Sequence, residues 1–351
     1  MKKVLFVLPK GVGGAQKISI QISNLLPKEH YDIKYLIIGK RNELDMSDLI
    51  ENKALIQNLT VLNVWDFLTL RLIKLIRKEK PDIIFSSIMY LNIRVILAAK
   101  FVGGVKVIIR NDNMLKTQRW DKLKLLKFTY KKADIIIAQN EEMKDELLKR
   151  LHLSNEKVVV KYNPIDKKYI LSNALQPSPY KKEDTIKYIW TGNFMPSGSK
   201  GQDILIKAFN LVKEKIPNAH LFLLGLRFET SNYYKDIEEY VIQNGLTDSV
   251  HFVGFQKNPY PWIKYANCFV LPSRIEGLPN ALIDAMVLNK PVVATTCVPI
   301  ISRIVKDGYN GILVQPENYK DMAEAMLQGL KLNNFKMTYQ PSTDTDFIKL
   351  F

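Results

Sequence analysis

The sequence VLFVLPKGVGGAQ, residues 4–16, contains the strand–turn–helix pattern that decides the fold class. Its five consecutive apolar residues predict a buried β-strand, and the glycines predict a turn before a helix over about residues 16–26. Strands without polar alternation are typical of parallel sheets that are covered by helices on both faces. The stretch therefore predicts the first βα unit of an α/β protein.

The same pattern recurs in both halves of the chain. In the first half the further predicted strands are residues 31–39, 81–87, 105–110, 133–139 and 157–164. In the second half they are residues 186–192, 220–225, 250–255, 268–273, 291–296 and 311–316. Helical patterns separate them, so we expect two doubly wound parallel sheets with ligands at the carboxyl ends of the strands.

The length of 351 residues also indicates two domains. We place an N-terminal domain at residues 1–165, a polar linker at residues 166–184 and a C-terminal domain at residues 185–335. Residues 336–351 form a tail with one short helical pattern, residues 344–351. A cleft between two such domains would bring two substrates together.

Composition excludes several classes of protein. The two cysteines, Cys268 and Cys297, cannot form a disulfide framework or a Cys-rich zinc site, and the four histidines lack metal-ligand spacing. No run of 18 apolar residues predicts a membrane-spanning helix. The apolar run at residues 4–8 is too short for a signal peptide, so we expect a cytoplasmic protein.

The net charge of +16 lies almost entirely in the first half of the chain. Residues 1–165 carry 30 Lys and Arg against 17 Asp and Glu, a net charge of +13, which leaves +3 for the remainder. Two basic stretches with apolar residues at helical spacing, residues 71–80 and 122–132, can lie on an anionic membrane. Ordinary surface helices are the alternative, and nucleic acid is disfavoured because no recognition motif is present.

Three strand-end motifs can bind phosphate. GVGGAQ (residues 11–16) permits close approach of an anion to a helix start, although a turn without a ligand has the same pattern. TGNFMPSGSKGQD (residues 191–203) places Lys200 at a helix entrance, where it can bind phosphate or simply face solvent. In SRIEGLPNALIDAM (residues 273–286), two carboxylates lie eight residues apart beside a helix start with free N–H groups.

With these motifs, the chain resembles family 4 glycosyltransferases of the GT-B fold, which has two Rossmann-like domains facing a central cleft. The matching segments in the second half are TGNF, SKGQDILIKAF, FLLG, HFVGFQKNPYPWIKYANCFVLPSRIEGLPNALIDAM, KPVVAT and IVKDGYNGILV. In the first half, GVGGAQ and KYNPID match. The resemblance extends to about residue 332, and it implies an acceptor-binding first domain and a donor-binding second domain.

The resemblance also implies roles for individual residues. Glu276 matches the carboxylate near the transferred sugar, Asp284 matches the longer Glu that binds ribose, and Lys200 matches the phosphate-binding lysine. Asn193 stands where the family usually has an arginine, so one cation is missing or supplied elsewhere. The implied donor-binding residues are Gly13, Gly14, Gly192, Asn193, Lys200, Val253, Gly254, Phe255, Glu276, Gly277, Leu278, Pro279, Asn280 and Asp284.

The implied reaction is retaining transfer of a hexosyl or N-acetylhexosaminyl group from a nucleotide-diphospho-sugar, with a UDP-sugar expected. Lys200 and the helix start at residues 276–280 would stabilise the leaving diphosphate, so neither a metal nor a cofactor is expected. On the acceptor side the candidates are Arg110, Asn111 and Asp112, for which a structural turn is the alternative. A structural role is expected for His251.

The implied acceptor is a saccharide, expected to be linked to undecaprenyl pyrophosphate, in the synthesis of capsule, lipopolysaccharide or a related glycan. The protein is then expected at the inner face of the cytoplasmic membrane, in peripheral contact with anionic lipid, and not on nucleic acid. A nucleotide-sugar-binding subunit without catalysis remains the alternative. The family often ends with a helix that returns to the first domain, and the short tail here can do so.

Overall fold

A computed structural model describes residues 1–11, 13–39, 50, 55–60, 68–115, 119–181, 184–227, 231–333, 335 and 337–351. These residues form two compact units. The first comprises Met1–Ile165 together with Gln340–Phe351, and the second comprises Asp166–Tyr339.

The first unit is built on a parallel sheet. Its described strands are β1 (Lys2–Pro9), β2 (Tyr31–Gly39), β3 (Ile56–Thr60), β4 (Ile83–Ser86), β5 (Lys106–Arg110), β6 (Ile135–Ala138) and β7 (Val158–Val160). Its first helices are α1 (Gly14–Asn24), α2 (Leu68–Glu79), α3 (Met89–Val102), α4 (Trp120–Tyr130) and α5 (Glu141–Leu151). The strand order is β3-β2-β1-β4-β5-β6-β7, so the direction of winding reverses between β1 and β4.

The second unit repeats this plan. Its described strands are β8 (Ile186–Thr191), β9 (Ala219–Leu224), β10 (Val250–Gly254), β11 (Cys268–Leu271), β12 (Val292–Thr295) and β13 (Gly311–Val314). Its helices are α6 (Lys167–Asn173), α7 (Gln202–Lys215), α8 (Asn232–Gln243), α9 (Tyr260–Tyr265), α10 (Asn280–Val287), α11 (Pro299–Ile304) and α12 (Tyr319–Gly329). The parallel order β10-β9-β8-β11-β12-β13 reverses between β8 and β11. The predicted α/β class with two parallel-sheet domains is confirmed.

Both faces of the first sheet are buried, as the continuous apolar strands predict. In β1, Leu5 and Val7 join the cluster beneath α2 to α5, whereas Val4, Phe6 and Leu8 join the cluster on the α1 side. Alternate residues of a strand point to opposite faces, so a strand between two helical layers needs apolar residues at every position.

The structure differs from the sequence prediction in two segments. Strand β3 was not predicted, because IQNLT has few apolar residues; it lies at the sheet edge beside β2. Residues 166–184, predicted as a linker, include helix α6, which Asp166 caps by accepting a hydrogen bond from the Tyr169 amide at 2.8 Å. Within that predicted linker, residues 182 and 183 lie outside the described residues.

The tail forms helix α13 (Asp344–Ile348), which belongs to the first unit. The Phe351 ring lies 5.8 Å from the Phe6 ring and 6.0 Å from the Phe85 ring, both in the sheet core. The Lys2 ammonium donates to the Phe351 carbonyl at 2.8 Å, and the Lys106 ammonium donates to the Leu350 carbonyl at 2.6 Å. The tail therefore supplies apolar side chains that complete one layer of the first unit.

Candidate functional site

The second unit places its charged candidates at the point where the strand order reverses. Strand β8 has β9 on one side and β11 on the other, and the helices after β8 and β11 depart in opposite directions. A crevice forms at such a position, outside the carboxyl ends of the strands. The loop after β8 carries Lys200, and the loop after β11 carries Glu276.

Lys200 and Glu276 form an ion pair between these two loops. The Lys200 Nζ lies 2.8 Å from the Glu276 Oε1, and the Glu276 side chain is 9% exposed against 30% for Lys200. Ser273 Oγ donates a second hydrogen bond to the same carboxylate oxygen at 2.7 Å. The carboxylate is thus held in one orientation, while the ammonium keeps access to solvent and to an incoming anion.

The thiol of Cys297 lies near this pair. Burial raises its pKa to about 11, and the Glu276 carboxylate adds to the rise against opposing effects of Thr295 and Lys200. A thiol with that pKa stays protonated at neutral pH, so it is a poor nucleophile. Covalent chemistry at this site is not expected from Cys297.

Two glycines allow the strand-end loops to pack against one another. Gly201 has φ +71°, and a Cβ there would lie 2.0 Å from the Pro272 carbonyl oxygen. Gly225 has φ +150°, and a Cβ there would lie 1.5 Å from the Gly192 carbonyl oxygen. No side chain fits at these separations, so glycine is required at both positions for the loops to meet.

The segment after Glu276 leads into helix α10. Gly277, Leu278 and Pro279 are buried, and Pro279 occupies the cap position without a side-chain cap. Asn280 is the first helical residue, and the half-buried Asp284 lies about one turn into the helix. Helix starts carry partial positive charge, so this arrangement suits an anionic ligand.

Hydrogen bonds join the residues that follow β8, β9 and β10. Asn193 Oδ1 accepts a hydrogen bond from the Leu226 amide at 3.1 Å, and Gly254 accepts one from the Gly225 amide at 2.9 Å. Val253 and Phe255 flank Gly254 and are half-buried. The carboxamide of Asn193 thus holds the neighbouring turn in place.

The first unit places its glycine turn at the end of β1. Gly13 is extended and caps α1, and Gly14 is the first residue of that helix. The buried Gln16 lies against this turn, since a Cβ on Gly13 would be 3.0 Å from its Oε1. These glycines lie beside the reversal point of the first sheet.

A second polar cluster lies at the ends of β4 to β7. Arg110 is only 2% exposed, and its guanidinium donates to Ser87 Oγ at 3.1 Å and to Asn163 Oδ1 at 2.6 Å. Gln139 Nε2 donates to the Asn111 carbonyl at 2.9 Å. These four strand ends therefore meet around one buried guanidinium that is held by neutral oxygens.

Asn111 and Asp112 extend this cluster. The Asn111 side chain is fully buried and accepts a hydrogen bond from the Tyr130 hydroxyl at 3.3 Å. The Asp112 residue is half-exposed, but its carboxyl group is buried and Oδ1 has no hydrogen-bond partner among the described residues. Burial raises the pKa of Asp112, and the nearby Arg110 only partly opposes that rise. The carboxyl group can therefore accept or hold a proton.

Sequence reasoning missed the partners that hold these candidates. In the first unit these are Ser87, Gln139 and Asn163, although each is a polar residue that follows an apolar run within three positions, a signal that was available. In the second unit it missed Arg274, whose partners are distant in sequence.

His251 lies on β10, away from the charged loops, and its Nε2 is 2.9 Å from the His220 Nδ1 on β9. Within the described parts of the chain, no cluster of three or more His, Cys, Asp or Glu side chains is placed to bind a metal. Over the same residues, no helix combines the length and apolar character needed to cross a bilayer.

Two doubly wound parallel-sheet domains are the architecture of GT-B glycosyltransferases, and both are present here. Residues 12–169 match the family model described as Glycosyltransferase Family 4, and residues 185–331 match the one described as Glycosyl transferases group 1. The chain belongs to the family 4 glycosyltransferases, as the sequence motifs predicted.

Individual relatives agree with this assignment. An uncharacterized glycosyltransferase of Methanocaldococcus jannaschii is 34% identical to this chain over 245 aligned residues. The aligned residues are 65% of this chain and 59% of the relative, so the match spans less than two thirds of the relative's length. The N-acetylgalactosamine-N,N'-diacetylbacillosaminyl-diphospho-undecaprenol 4-alpha-N-acetylgalactosaminyltransferase of Campylobacter jejuni is 23% identical over 97% of this chain and 93% of its own length.

A solved structure shares the fold at low identity. The Anabaena protein HepE in complex with UDP-glucose has a TM-score of 0.79 and 19% identity, covering 100% of this chain and 98% of HepE.

Proposed function

We propose that the protein transfers a sugar, with retention of anomeric configuration, from a UDP-sugar to a lipid-linked saccharide in the synthesis of a cell-surface glycan. The observation that carries this proposal is the Lys200–Glu276 pair at the point where the second sheet reverses. A donor of this kind needs cationic groups at its diphosphate and an oriented carboxylate near its sugar, and the two loops provide both.

The donor diphosphate is proposed to lie between Lys200 and the start of α10. As the glycosidic bond breaks, negative charge grows on the leaving diphosphate, and a nearby ammonium and helix start lower the energy of that charge. Lys200 must then exchange part of its contact with Glu276 for contact with phosphate. Such an exchange is possible because the ammonium is partly exposed while the carboxylate keeps its bond from Ser273.

The residues proposed to bind the sugar acceptor belong to the polar cluster of the first unit, around Arg110. Arg110 and Asn111 are both buried and bonded to other groups of the chain, so of the three candidates only the partly exposed Asp112 is proposed to orient an acceptor hydroxyl, with Arg110 and Asn111 supporting the turn that carries it. The lipid-linked acceptor is proposed by analogy with the Campylobacter jejuni relative, whose name includes a diphospho-undecaprenol saccharide. UDP is proposed as the nucleotide because HepE binds UDP-glucose.

The test is transfer by the purified protein from UDP-sugars to an undecaprenyl-diphosphate saccharide. We expect Glu276→Gln to lower kcat by about 10²–10³-fold, which is the usual effect of removing one preorganised charge. Glu239→Gln is the matched control, because that carboxylate on α8 is exposed and accepts a hydrogen bond from the neighbouring Gln243. Equal turnover by Glu276→Gln and Glu239→Gln would refute the proposed role of Glu276.

A non-catalytic subunit is the second candidate, because Asn193 supplies a neutral side chain where an arginine is usual in this family. Calorimetry with UDP separates the two functions. Tight UDP binding without turnover, and turnover only after a second chain is added, would support the subunit.

We also propose peripheral contact with anionic lipid through helix α4. Trp120, Lys124, Phe128 and Lys132 follow one another at intervals of four residues, so they lie along one side of the helix and the turn after it. The Trp120 and Phe128 side chains are 67% and 60% exposed, and each ring has a lysine ammonium within 5 Å of its centroid. Aromatic rings and lysines together suit the interface between lipid head groups and acyl chains.

The other basic stretch has a different environment. In α2, the apolar residues Leu72, Ile73, Leu75 and Ile76 are buried in the core, and Leu70 is the one large apolar residue of this helix that is exposed beside its charged side chains. An ordinary surface helix explains that stretch. The proposed lipid contact is therefore confined to α4 and its lysines, each of which contributes about 1 kcal/mol near an anionic surface.

Sedimentation with vesicles tests this contact. We expect binding to vesicles containing phosphatidylglycerol, weak binding to pure phosphatidylcholine, and loss of binding in a Trp120→Ser, Phe128→Ser variant. Ile242→Ser and Tyr309→Ser change exposed apolar residues of the second unit and serve as controls. Equal binding by all variants would exclude α4 as the contact.

A further inference from the structure

The guanidinium of Arg274 joins several strand-end loops of the second unit. It donates to both Asp203 carboxylate oxygens at 2.7 Å and to the Gly198 carbonyl at 2.7 Å. Its remaining N–H groups bond to the Glu317 carboxylate, in one case at 2.9 Å. All five N–H donors of this side chain are therefore used, which leaves none for a ligand.

These contacts connect the elements that carry the candidate site. Gly198 is in the loop after β8, Asp203 is in the first turn of α7, and Glu317 is in the loop after β13. The Arg274 amide also donates to the Ser199 carbonyl at 2.9 Å, so both its backbone and its side chain hold the segment just before Lys200. Arg274 itself lies two residues before Glu276. One residue thus connects the segment bearing Lys200 to the segment bearing Glu276.

Asp203 and Arg274 are both charged at neutral pH. Burial acts to raise the pKa of Asp203, but hydrogen bonds from Arg274 and Tyr233 outweigh it, and the net shift is downward. Asp203 is therefore ionised wherever the native protein is studied near neutrality. A bidentate pair of this geometry fixes direction as well as distance, which a lysine cannot reproduce.

We propose that Arg274, with Asp203 as its main partner, is a positioning residue that fixes the Lys200 ammonium relative to the Glu276 carboxylate before the donor binds. The inference rests on the proposed function, in which these two groups act on the donor. Arg274 touches no substrate in this role; it acts through the loop that carries Lys200. Glu317 is a weaker partner, because its side chain is 59% exposed.

The effect of Arg274 is measured with a double-mutant cycle. We expect Arg274→Met to lower kcat by about tenfold or more at 20 °C, after thermal unfolding has established that the variant is folded there, with a smaller change in KM for the donor. Arg274→Lys should recover part of the loss, and Glu317→Gln should cost less than Asp203→Asn. Arg274→Met combined with Lys200→Met should be no slower than Lys200→Met alone, because residues that act through one another are not additive.

The matched control is Lys215→Met, which breaks an ion pair with Glu324 whose two side chains are 57% and 58% exposed in the same unit. It should change neither kcat nor KM. The positioning role would be overturned if the losses in kcat from Arg274→Met and Lys200→Met were fully additive. It would also be overturned if Arg274→Met lowered the melting temperature but left the kinetics at 20 °C unchanged, since Arg274 would then have a purely structural role.

Amide hydrogen exchange provides a readout that does not depend on transfer. We expect faster exchange in residues 198–206 of Arg274→Met, and unchanged exchange there in Lys215→Met. If the unmodified protein transfers no sugar, the proposed function fails, while the exchange result still decides whether Arg274 holds the Lys200 loop. Unchanged exchange in Arg274→Met would overturn the inference even in an active enzyme.

Discussion

The two units place polar clusters at the carboxyl ends of their strands, yet the clusters differ in how their charged groups are paired. In the second unit, Lys200 and Arg274 are matched by the carboxylates of Glu276 and Asp203. In the first unit, the Arg110 guanidinium donates to a hydroxyl and an amide oxygen, and the nearby carboxyl group of Asp112 has a pKa that burial raises. Paired charges suit a site that must accept further negative charge, because one partner can be exchanged for a phosphate. Neutral amides suit a site that orients hydroxyl groups without binding anions strongly.

The second-unit cluster is also more exposed to solvent than the first-unit cluster. Lys200 is 30% exposed, whereas Arg110 is 2% exposed. We therefore expect changes in the second cluster to affect catalysis more than folding, and changes at Arg110 to affect folding more than catalysis. The following predictions test that contrast, beginning with the largest effect.

Lys200→Met should lower kcat by about 10²–10³-fold, because the leaving diphosphate loses its nearest cation. The melting temperature should change little, since the lost ion pair is partly exposed. Steady-state kinetics and thermal unfolding measure the two quantities on the same sample. A large loss of stability with normal kcat would reverse the contrast between the clusters.

Arg110→Met should lower the free energy of unfolding by about 1–3 kcal/mol, because Ser87 Oγ and Asn163 Oδ1 each lose a buried hydrogen-bond donor. Urea denaturation measures this loss. Arg119→Met, at a side chain that is 83% exposed, is the control and should change stability by less than about 0.5 kcal/mol. Similar stability of the two variants would show that Arg110 does not support the first unit.

Asp112→Asn should have the smallest effect on the stability of the folded protein, and the size of that effect depends on pH. Because burial raises the pKa of Asp112, the ionised carboxylate is less favourable in the folded than in the unfolded protein. The variant should therefore gain stability relative to the original protein as pH rises through that raised pKa. The difference should be constant below the ordinary pKa of Asp. Melting temperatures from pH 4 to pH 8 measure it, and a difference that decreases with rising pH contradicts the assignment.

Local sequence patterns predicted most of the fold. Residues 31–39 form a strand with the predicted limits, and the strand predicted at residues 186–192 is β8, residues 186–191. These segments have strong periodicity and clear ends. Strand β3 escaped prediction because an edge strand with polar residues has no such pattern, and its pairing with β2 depends on the rest of the sheet.

The site was predictable where its chemistry is contained in one motif. Lys200 and Glu276 were identified because each stands in a segment after a predicted strand that matches a motif of the family, and the structure brings the two side chains into contact. Arg274 was not identified, because Asp203 and Glu317 are 71 and 43 residues away from it in sequence. Only the order of strands in the sheet brings these three side chains together.

The returning tail has a consequence for synthesis on the ribosome. Phe347, Leu350 and Phe351 belong to the same buried cluster as Phe6 and Phe85, yet the whole second unit lies between them in the sequence. The first unit therefore cannot cover those rings until the second unit has been translated, although the first unit is made earlier. At about 5–20 residues per second, nascent chains expose that surface for many seconds. Chaperones that bind apolar segments would meet the first unit during this interval, and translation of residues 347–351 would allow those rings to be covered.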